Sequence, residues 1–331
     1  VPQSEKPFDN LGFDERGFAM KQATTTGTGK YEALLERCRN LSPVPTAVAH
    51  PCEESALTGA VEAAQKKLIA PILVGPKDKI VAIAKSAGVD LGGLEIIDAT
   101  HSHDSAEKAV SLIREGRAEV LMKGSLHSDE LLGAVVSREK GLRTGRRISH
   151  VFLMDVPTYH KALVVTDAAI NIAPTLEDKV DICQNAIDLA VALGVKTPKV
   201  AILAAVETVN SKMPATIDAA CLCKMAERGQ IKGGLLDGPL AFDNAISKEA
   251  AKTKGIASEV AGDPDILLVP DLEAGNILAK QLSFLANADS AGLVLGTRVP
   301  VILTSRADSV RSRIASCAVA NLVAHARRSK P

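Results

Sequence analysis

Tryptophan is absent from this chain, and aromatic residues make up only 2% of its 331 positions. That removes the stacking platforms on which proteins hold single-stranded nucleic acids. Neither sign of charge is in excess, since Lys+Arg and Asp+Glu both number 39. Without a basic field, nucleic acid and anionic membrane are not expected as main partners. No apolar run reaches the roughly 18 residues of a membrane-spanning helix, and no signal-peptide pattern is present. The six cysteines, Cys38, Cys52, Cys183, Cys221, Cys223 and Cys317, include no CxxC pair. They read as reduced, mostly buried thiols of a cytoplasmic protein. Cys221-Leu222-Cys223 is too tight for a usual zinc pair and has no histidine partner after it, so no metal site is expected.

What is present is an Ala, Val, Ile and Leu core with 24 glycines and no internal repeat. Residues 1–29 are polar and glycine-rich and read as a flexible leader or linker. From there short β-branched runs alternate with helical periods. Helices are predicted over 31–39, 56–67, 78–87 and 101–115, with strands at 46–49, 71–75, 94–97 and 118–122. This is the pattern of βαβ units and a parallel sheet. Two strands at 150–154 and 162–166, joined by a short loop, predict an antiparallel hairpin that opens a second domain. Thr175 with Asp178 three residues on has the form of a capping box for a helix reaching about 193.

Several strand ends carry polar side chains, where an open α/β sheet binds its ligands. The strand over 299–303 stops at Thr304-Ser305-Arg306, and a helix over 310–326 follows. Hydroxyls, backbone N–H groups and a guanidinium thus meet at the positive end of a helix dipole, which suits phosphate. The plainer reading makes Asp308 an N-cap and leaves Ser305 and Arg306 as solvated loop residues. A second strand ends in Lys123-Gly124-Ser125-Leu126-His127-Ser128, with a glycine that lets backbone approach a ligand. Lys123 brings charge, and Ser125 and Ser128 bring hydroxyls. Arg143, Arg146 and Arg147 form a basic loop that suits a phosphorylated cofactor or a solvated turn. Asp167 and Asn171 follow a strand, where site and turn chemistry are equally compatible with their spacing. His50, His101 and His103 read as solvated caps.

Four stretches then occur in order: Thr166-Asp167-Ala168-Ala169-Ile170-Asn171-Ile172-Ala173-Pro174, Asp237-Gly238-Pro239-Leu240-Ala241-Phe242-Asp243, Asp271-Leu272-Glu273-Ala274-Gly275-Asn276 and Leu303-Thr304-Ser305-Arg306-Ala307-Asp308-Ser309. Together they resemble the phosphate acetyltransferase/phosphate butyryltransferase family, over nearly everything from Tyr31 onward. Leu121-Met122-Lys123-Gly124 and Leu142-Arg143-Thr144-Gly145 look more like the butyryltransferase branch, or like the acetyltransferase part of a fusion behind an enoyl-CoA hydratase domain.

The resemblance implies two α/β domains with parallel-rich sheets and an active-site cleft between them, as in isocitrate and isopropylmalate dehydrogenases. The first would take 30–148 plus 300–331. The second, 149–299, would carry a homodimer interface. The implied reaction is acyl-CoA plus phosphate giving acyl phosphate plus CoA. Coenzyme A would be a substrate, with no permanently bound cofactor. Ser305 and Arg306 match the family's Ser-Arg pair, with Asp308 as a third candidate. Thr304, Lys123, Ser125, Ser128, Asp167, Asn171 and Asn276 are candidates for substrate and phosphate. Arg143 and Lys280 are candidates for CoA. The acetyltransferase branch has an aspartate seven positions after the serine, where this chain has Ser312. An arginine of that branch is also missing near Leu132-Gly133, and Arg143 is the residue that can replace it.

Two other readings use the same residues. One is a metal- and NAD(P)-dependent dehydrogenase with Asp237, Asp243, Asp263 and Asp265 as ligands, although no GxGxxG follows the first strand. The other is a non-catalytic CoA-binding domain.

Overall fold

The computed structural model describes residues 29–305 and 308–329. The leader, apart from Gly29, and the candidate Arg306 lie outside the described residues. In chain order the elements are α1 (Lys30–Cys38), β1 (Val44–Ala49), α2 (Glu54–Gln65), β2 (Ile69–Gly75), α3 (Lys77–Ala87), β3 (Ile96–Asp98), α4 (Ser102–Arg114), β4 (Val120–Lys123) and α5 (Ser128–Val136). The hairpin β5 (Ser149–Asp155) and β6 (Leu163–Thr166) follows, then α6 (Leu176–Ala192), β7 (Lys199–Leu203), α7 (Pro214–Glu227) and β8 (Leu235–Leu240). The chain closes with α8 (Phe242–Ile246), α9 (Lys248–Thr253), β9 (Ile266–Leu268), α10 (Leu272–Leu285), β10 (Asp289–Leu295), β11 (Val301–Ile302) and α11 (Val310–Arg328).

All the strands join one 11-stranded sheet in the order β3-β2-β1-β4-β11-β10-β5-β6-β9-β7-β8. β3 to β11 are parallel to one another, and so are β6, β9, β7 and β8. β10 and β5 run antiparallel to their neighbours and splice the two blocks. The near-continuous apolar runs of the parallel strands fit burial on both faces. The hairpin expected at 150–166 is present, pairing Val151 with Thr166. The Thr175–Asp178 capping box is present too. β11 itself is short, Val301 and Ile302, but backbone bonds continue at both ends: the Leu121 N–H donates to Pro300 O and the Leu303 N–H to Gly292 O, each at 3.2 Å.

The two faces of the sheet differ. One face carries a single continuous core from Val44 to Ile266, over which α2, α6 and α11 pack. On the other face the core is divided. One cluster, with Leu121, Val301 and Leu303, lies beneath α4 and α5. A second, with Met154, Val165 and Leu267, lies beneath the helices of the β6–β9 half. The seam between them runs along β10 and β5.

Candidate active site

Thr304 and Ser305 leave the carboxyl end of β11. Thr304 is buried and Ser305 is exposed. The turn is closed by two bonds between Ser305 and Asp308: the Ser305 N–H donates to Asp308 Oδ2 at 2.6 Å, and the Asp308 N–H donates to Ser305 O at 3.2 Å. Asp308 is therefore not the helix cap. Ser309 fills that position, accepting the Ser312 N–H at 3.1 Å and starting α11 at Val310. The amino end of a 19-residue helix thus adjoins the Ser305 turn. Burial pushes the Asp308 carboxyl above its ordinary pKa, opposed by Arg313 and Lys123.

Lys123 ends β4, next to β11, and is 3% exposed. Its Nζ lies 3.4 Å from Thr304 O, so the lysine and the Ser305 turn are brought together. Gly124 serves a different purpose from the one its sequence context suggests. A Cβ there would lie 2.4 Å from Ala49 O and 2.5 Å from His50 O, so the backbone it admits is the exit of β1 rather than a ligand. Ser125 belongs to the same junction: its Oγ donates to His50 O at 2.8 Å and accepts the Cys52 N–H at 3.1 Å. Ser128 is the exposed first residue of α5.

His50 sits in this junction with a φ of 56°. Its Nδ1 is 3.0 Å from Ser105 Oγ, which itself donates to His101 O at 2.8 Å. Burial and Lys79 lower its pKa. His101 is a helix cap, as expected, accepting the Asp104 N–H.

The exit of β6 is built differently. Asp167 accepts the N–H groups of Ala169, Ile170 and Asn171 at 2.9, 3.1 and 3.2 Å, and the Asn171 amide at 2.5 Å. Asn171 also donates to Ile148 O and accepts from Arg147 Nε. Both are 3% exposed. Asn276 on α10 donates to Ala168 O at 3.1 Å and clamps the same turn.

Between the two exits lies His150. It is buried and edge-on to Phe152, with its Nδ1 lacking a hydrogen-bond partner. Its ring is admitted by Gly292, whose Cβ would lie 3.1 Å from His150 Nε2 and 2.8 Å from Leu303 O. Burial lowers the His150 pKa against the pull of Asp167. Arg143 is not brought to Ser305. It bridges to Thr297, at the opposite end of β11 from Thr304. Lys280 is exposed on α10, which packs on β5 and β6.

The family model for phosphate acetyl/butaryl transferase matches residues 100–321. A phosphate acetyltransferase of Rhizobium meliloti is 64% identical over 300 residues, 91% of this chain and 95% of that protein. The chain belongs to the phosphate acetyl/butyryl transferase family. A phosphate butyryltransferase of Clostridium beijerinckii is 44% identical over 294 residues, 89% of this chain and 97% of that protein. The crystal structure of a branched-chain phosphotransacylase from Enterococcus faecalis V583 superposes with a TM-score of 0.75 at 30% identity, covering 85% of this chain and 99% of that one.

Two of the aspartates considered as metal ligands are held by cations. Asp263 meets Lys199 at 2.7 Å and Lys161 at 3.1 Å, and Asp265 meets Lys161 at 2.8 Å. The Cys183 and Cys317 thiols are pushed up to about 12 by burial, which leaves them poor nucleophiles. No described helix is long and apolar enough to cross a membrane.

One contributor to the site was not legible in sequence. Arg313, in the first turn of α11, looks there like a surface residue among Arg311, Ser312 and Ser316. The structure buries it to 2% exposure and turns it back toward Thr304 and Ser305. A signal did exist: Arg313 is followed by the mostly apolar segment 314–324, all of which is buried with it.

Proposed function

We propose that the Thr304–Ser305 turn is where this phosphate acyltransferase interconverts acyl-CoA and phosphate with acyl phosphate and CoA. The observation that carries this reading is an exposed serine on a turn backed by two buried cations, Lys123 and Arg313, at a helix amino terminus. Anions are favoured there by the helix dipole. In the acyl-phosphate-forming direction, a phosphate oxygen attacks the thioester carbonyl carbon. The carbonyl becomes an oxyanion, the C–S bond breaks, and the thiolate takes the proton released by phosphate. Ser305 and Arg306 stabilise the oxyanion and the phosphate. Asp308, two residues beyond Arg306, accepts and returns the proton. Its raised pKa brings it closer to that task than an ordinary carboxylate. Holding both substrates together supplies much of the remaining rate.

The architecture is read as two α/β units, 30–148 plus 300–331 and 149–299, facing each other across the seam. The divided core on that face supports this reading. Coenzyme A enters as a substrate, with Lys280 and Arg143 as contacts for its phosphates. A homodimer is read through the second unit, where Ile172, Ile277, Phe284 and Leu285 are 75%, 66%, 76% and 77% exposed. A cytoplasmic setting suits six unpaired cysteines. The test is steady-state CoA release from acetyl-, propionyl- and butyryl-CoA with and without phosphate. Release that requires phosphate is expected for at least one of them. Release indifferent to phosphate for all three would overturn the reading.

A further inference from the structure

We propose that Arg313 is a positioning residue for acyl transfer, fixing the Thr304–Ser305 turn from behind and adding positive potential to the phosphate position. This rests on the reading of that turn as the reaction site.

The geometry is specific. Arg313 Nη1 donates to Thr304 Oγ1 at 2.7 Å and Nη2 to Ser305 O at 3.0 Å. Two donors of one planar group therefore hold two consecutive residues of the turn in a fixed fork, a geometry that an ammonium does not preset. The stem is received by α2. A Cβ on Gly59 would come 2.8 Å from Arg313 Cδ, so the glycine is what lets the arginine lie flat against that helix.

From the other side Lys123 Nζ approaches Thr304 O at 3.4 Å. The turn is thus wedged between one cation from β4 and one from α11. Both are buried, at 3% and 2% exposure.

Among the described residues no carboxylate is hydrogen-bonded to Arg313. Its two bonded partners are neutral oxygens, and its Nε is buried without a hydrogen-bond partner. Burial lowers its pKa, and Asp308 pulls it back. A buried cation in this state is costly unless an anion comes near. Phosphate or an acyl phosphate on the exposed side of Ser305 supplies that anion. The same charge favours the ionised form of Asp308, so the arginine acts on geometry and on proton transfer together.

The experiment compares the parent with Arg313→Met, Arg313→Lys and Gly59→Ala. Each is assayed for phosphate-dependent CoA release per folded molecule, with KM for acyl-CoA and melting temperature measured alongside. Arg313→Met is expected to lose kcat by about 10²-fold, the scale of a 1 Å misplacement of reacting groups. KM for acyl-CoA should stay within about twofold. Arg313→Lys should restore part of kcat, since charge returns without the fork. Gly59→Ala keeps the charge but displaces the stem, and should lose kcat without losing the fold, because alanine favours a helix interior.

A kcat within about twofold of the parent in Arg313→Met overturns the proposal. Should that variant not fold, unchanged kcat in both Arg313→Lys and Gly59→Ala overturns it. Losses confined to melting temperature, with kcat per folded molecule intact, also overturn it. The parent separates this from the function itself: a parent without phosphate-dependent release overturns the site reading, whereas an active parent with indifferent variants overturns only the role of Arg313.

Discussion

Two strand exits in this molecule carry similar polar sequences and have opposite electrostatic designs. At the exit of β6, Asp167 spends both carboxylate oxygens on three backbone N–H groups and the Asn171 amide, and both residues are buried. At the exit of β11, Ser305 is exposed, while Lys123 and Arg313 hold the turn from beneath. The first arrangement satisfies itself, and its carboxylate has little left to offer a ligand. The second holds its backbone from behind and places positive potential beneath an exposed serine. Polar residues after a strand are thus a shared signature of rigid turns and of sites. What separates them is where the hydrogen bonds go.

The largest expected effect falls on the β11 exit. Arg306→Ala should lower phosphate-dependent turnover by about 10²–10³, the cost of removing one transition-state donor. Arg306→Lys should recover part of it, because a point charge cannot bridge two oxygens as a guanidinium does. CoA affinity by calorimetry should move much less. Weakened CoA binding with normal turnover would instead place Arg306 with the cofactor.

The β6 exit should answer in stability. Asp167→Ala leaves three backbone N–H groups and the buried Asn171 amide without their acceptor and should cost about 3 kcal/mol in denaturant unfolding. Turnover per folded molecule should stay within about tenfold, since the effect is on packing rather than on a reacting atom. Parental stability with abolished turnover would reverse the contrast between the two exits.

Asp308 should give the smallest change at neutral pH and the clearest one on acidification. Its folded pKa stands above the ordinary value because it is buried. A carboxyl raised in this way contributes stability below its unfolded pKa and loses that contribution as pH rises through the folded value. Asp308→Asn should therefore melt at or above the parental temperature at pH 7, and the difference should shrink or reverse on acidification. As the proton acceptor, Asp308 should also make parental turnover fall on the acid side before ordinary carboxylates titrate. Asp308→Asn should be slower and lack that limb. An unchanged acid limb in the variant would assign proton transfer elsewhere.

Much of the fold was written locally. The alternation of β-branched runs and helical periods led to nearly every strand, and Thr175 with Asp178 marked a helix start to the residue. The splice through β10 and β5 was not legible. Antiparallel insertion into a parallel sheet depends on which distant strands meet, and no local period encodes that. At the site, Thr304, Ser305 and Lys123 stood out because their side chains follow strands directly. Arg313 did not, because an arginine in a helix reads as surface until its neighbours bury it. Gly124 was read as a place for a ligand, but the approach it permits is that of β1. Arg143 stands out in the sequence by its basic neighbours, but its place, bridged to Thr297 at the opposite end of β11 from Thr304, is set by a distant pairing that no local pattern encodes.

The central claim is that chemistry resides at the β11 exit and scaffolding at the β6 exit, and Ser305→Ala tests it most directly. Ser305 is exposed, and the N–H and C=O that close its turn are kept when the hydroxyl is removed. The measurement is kcat for phosphate-dependent CoA release, with melting temperature as a control. A loss of about 10²-fold at unchanged melting temperature is the result expected from removing one oxyanion donor. Parental kcat in a folded Ser305→Ala protein would contradict the claim and move the reaction away from this turn.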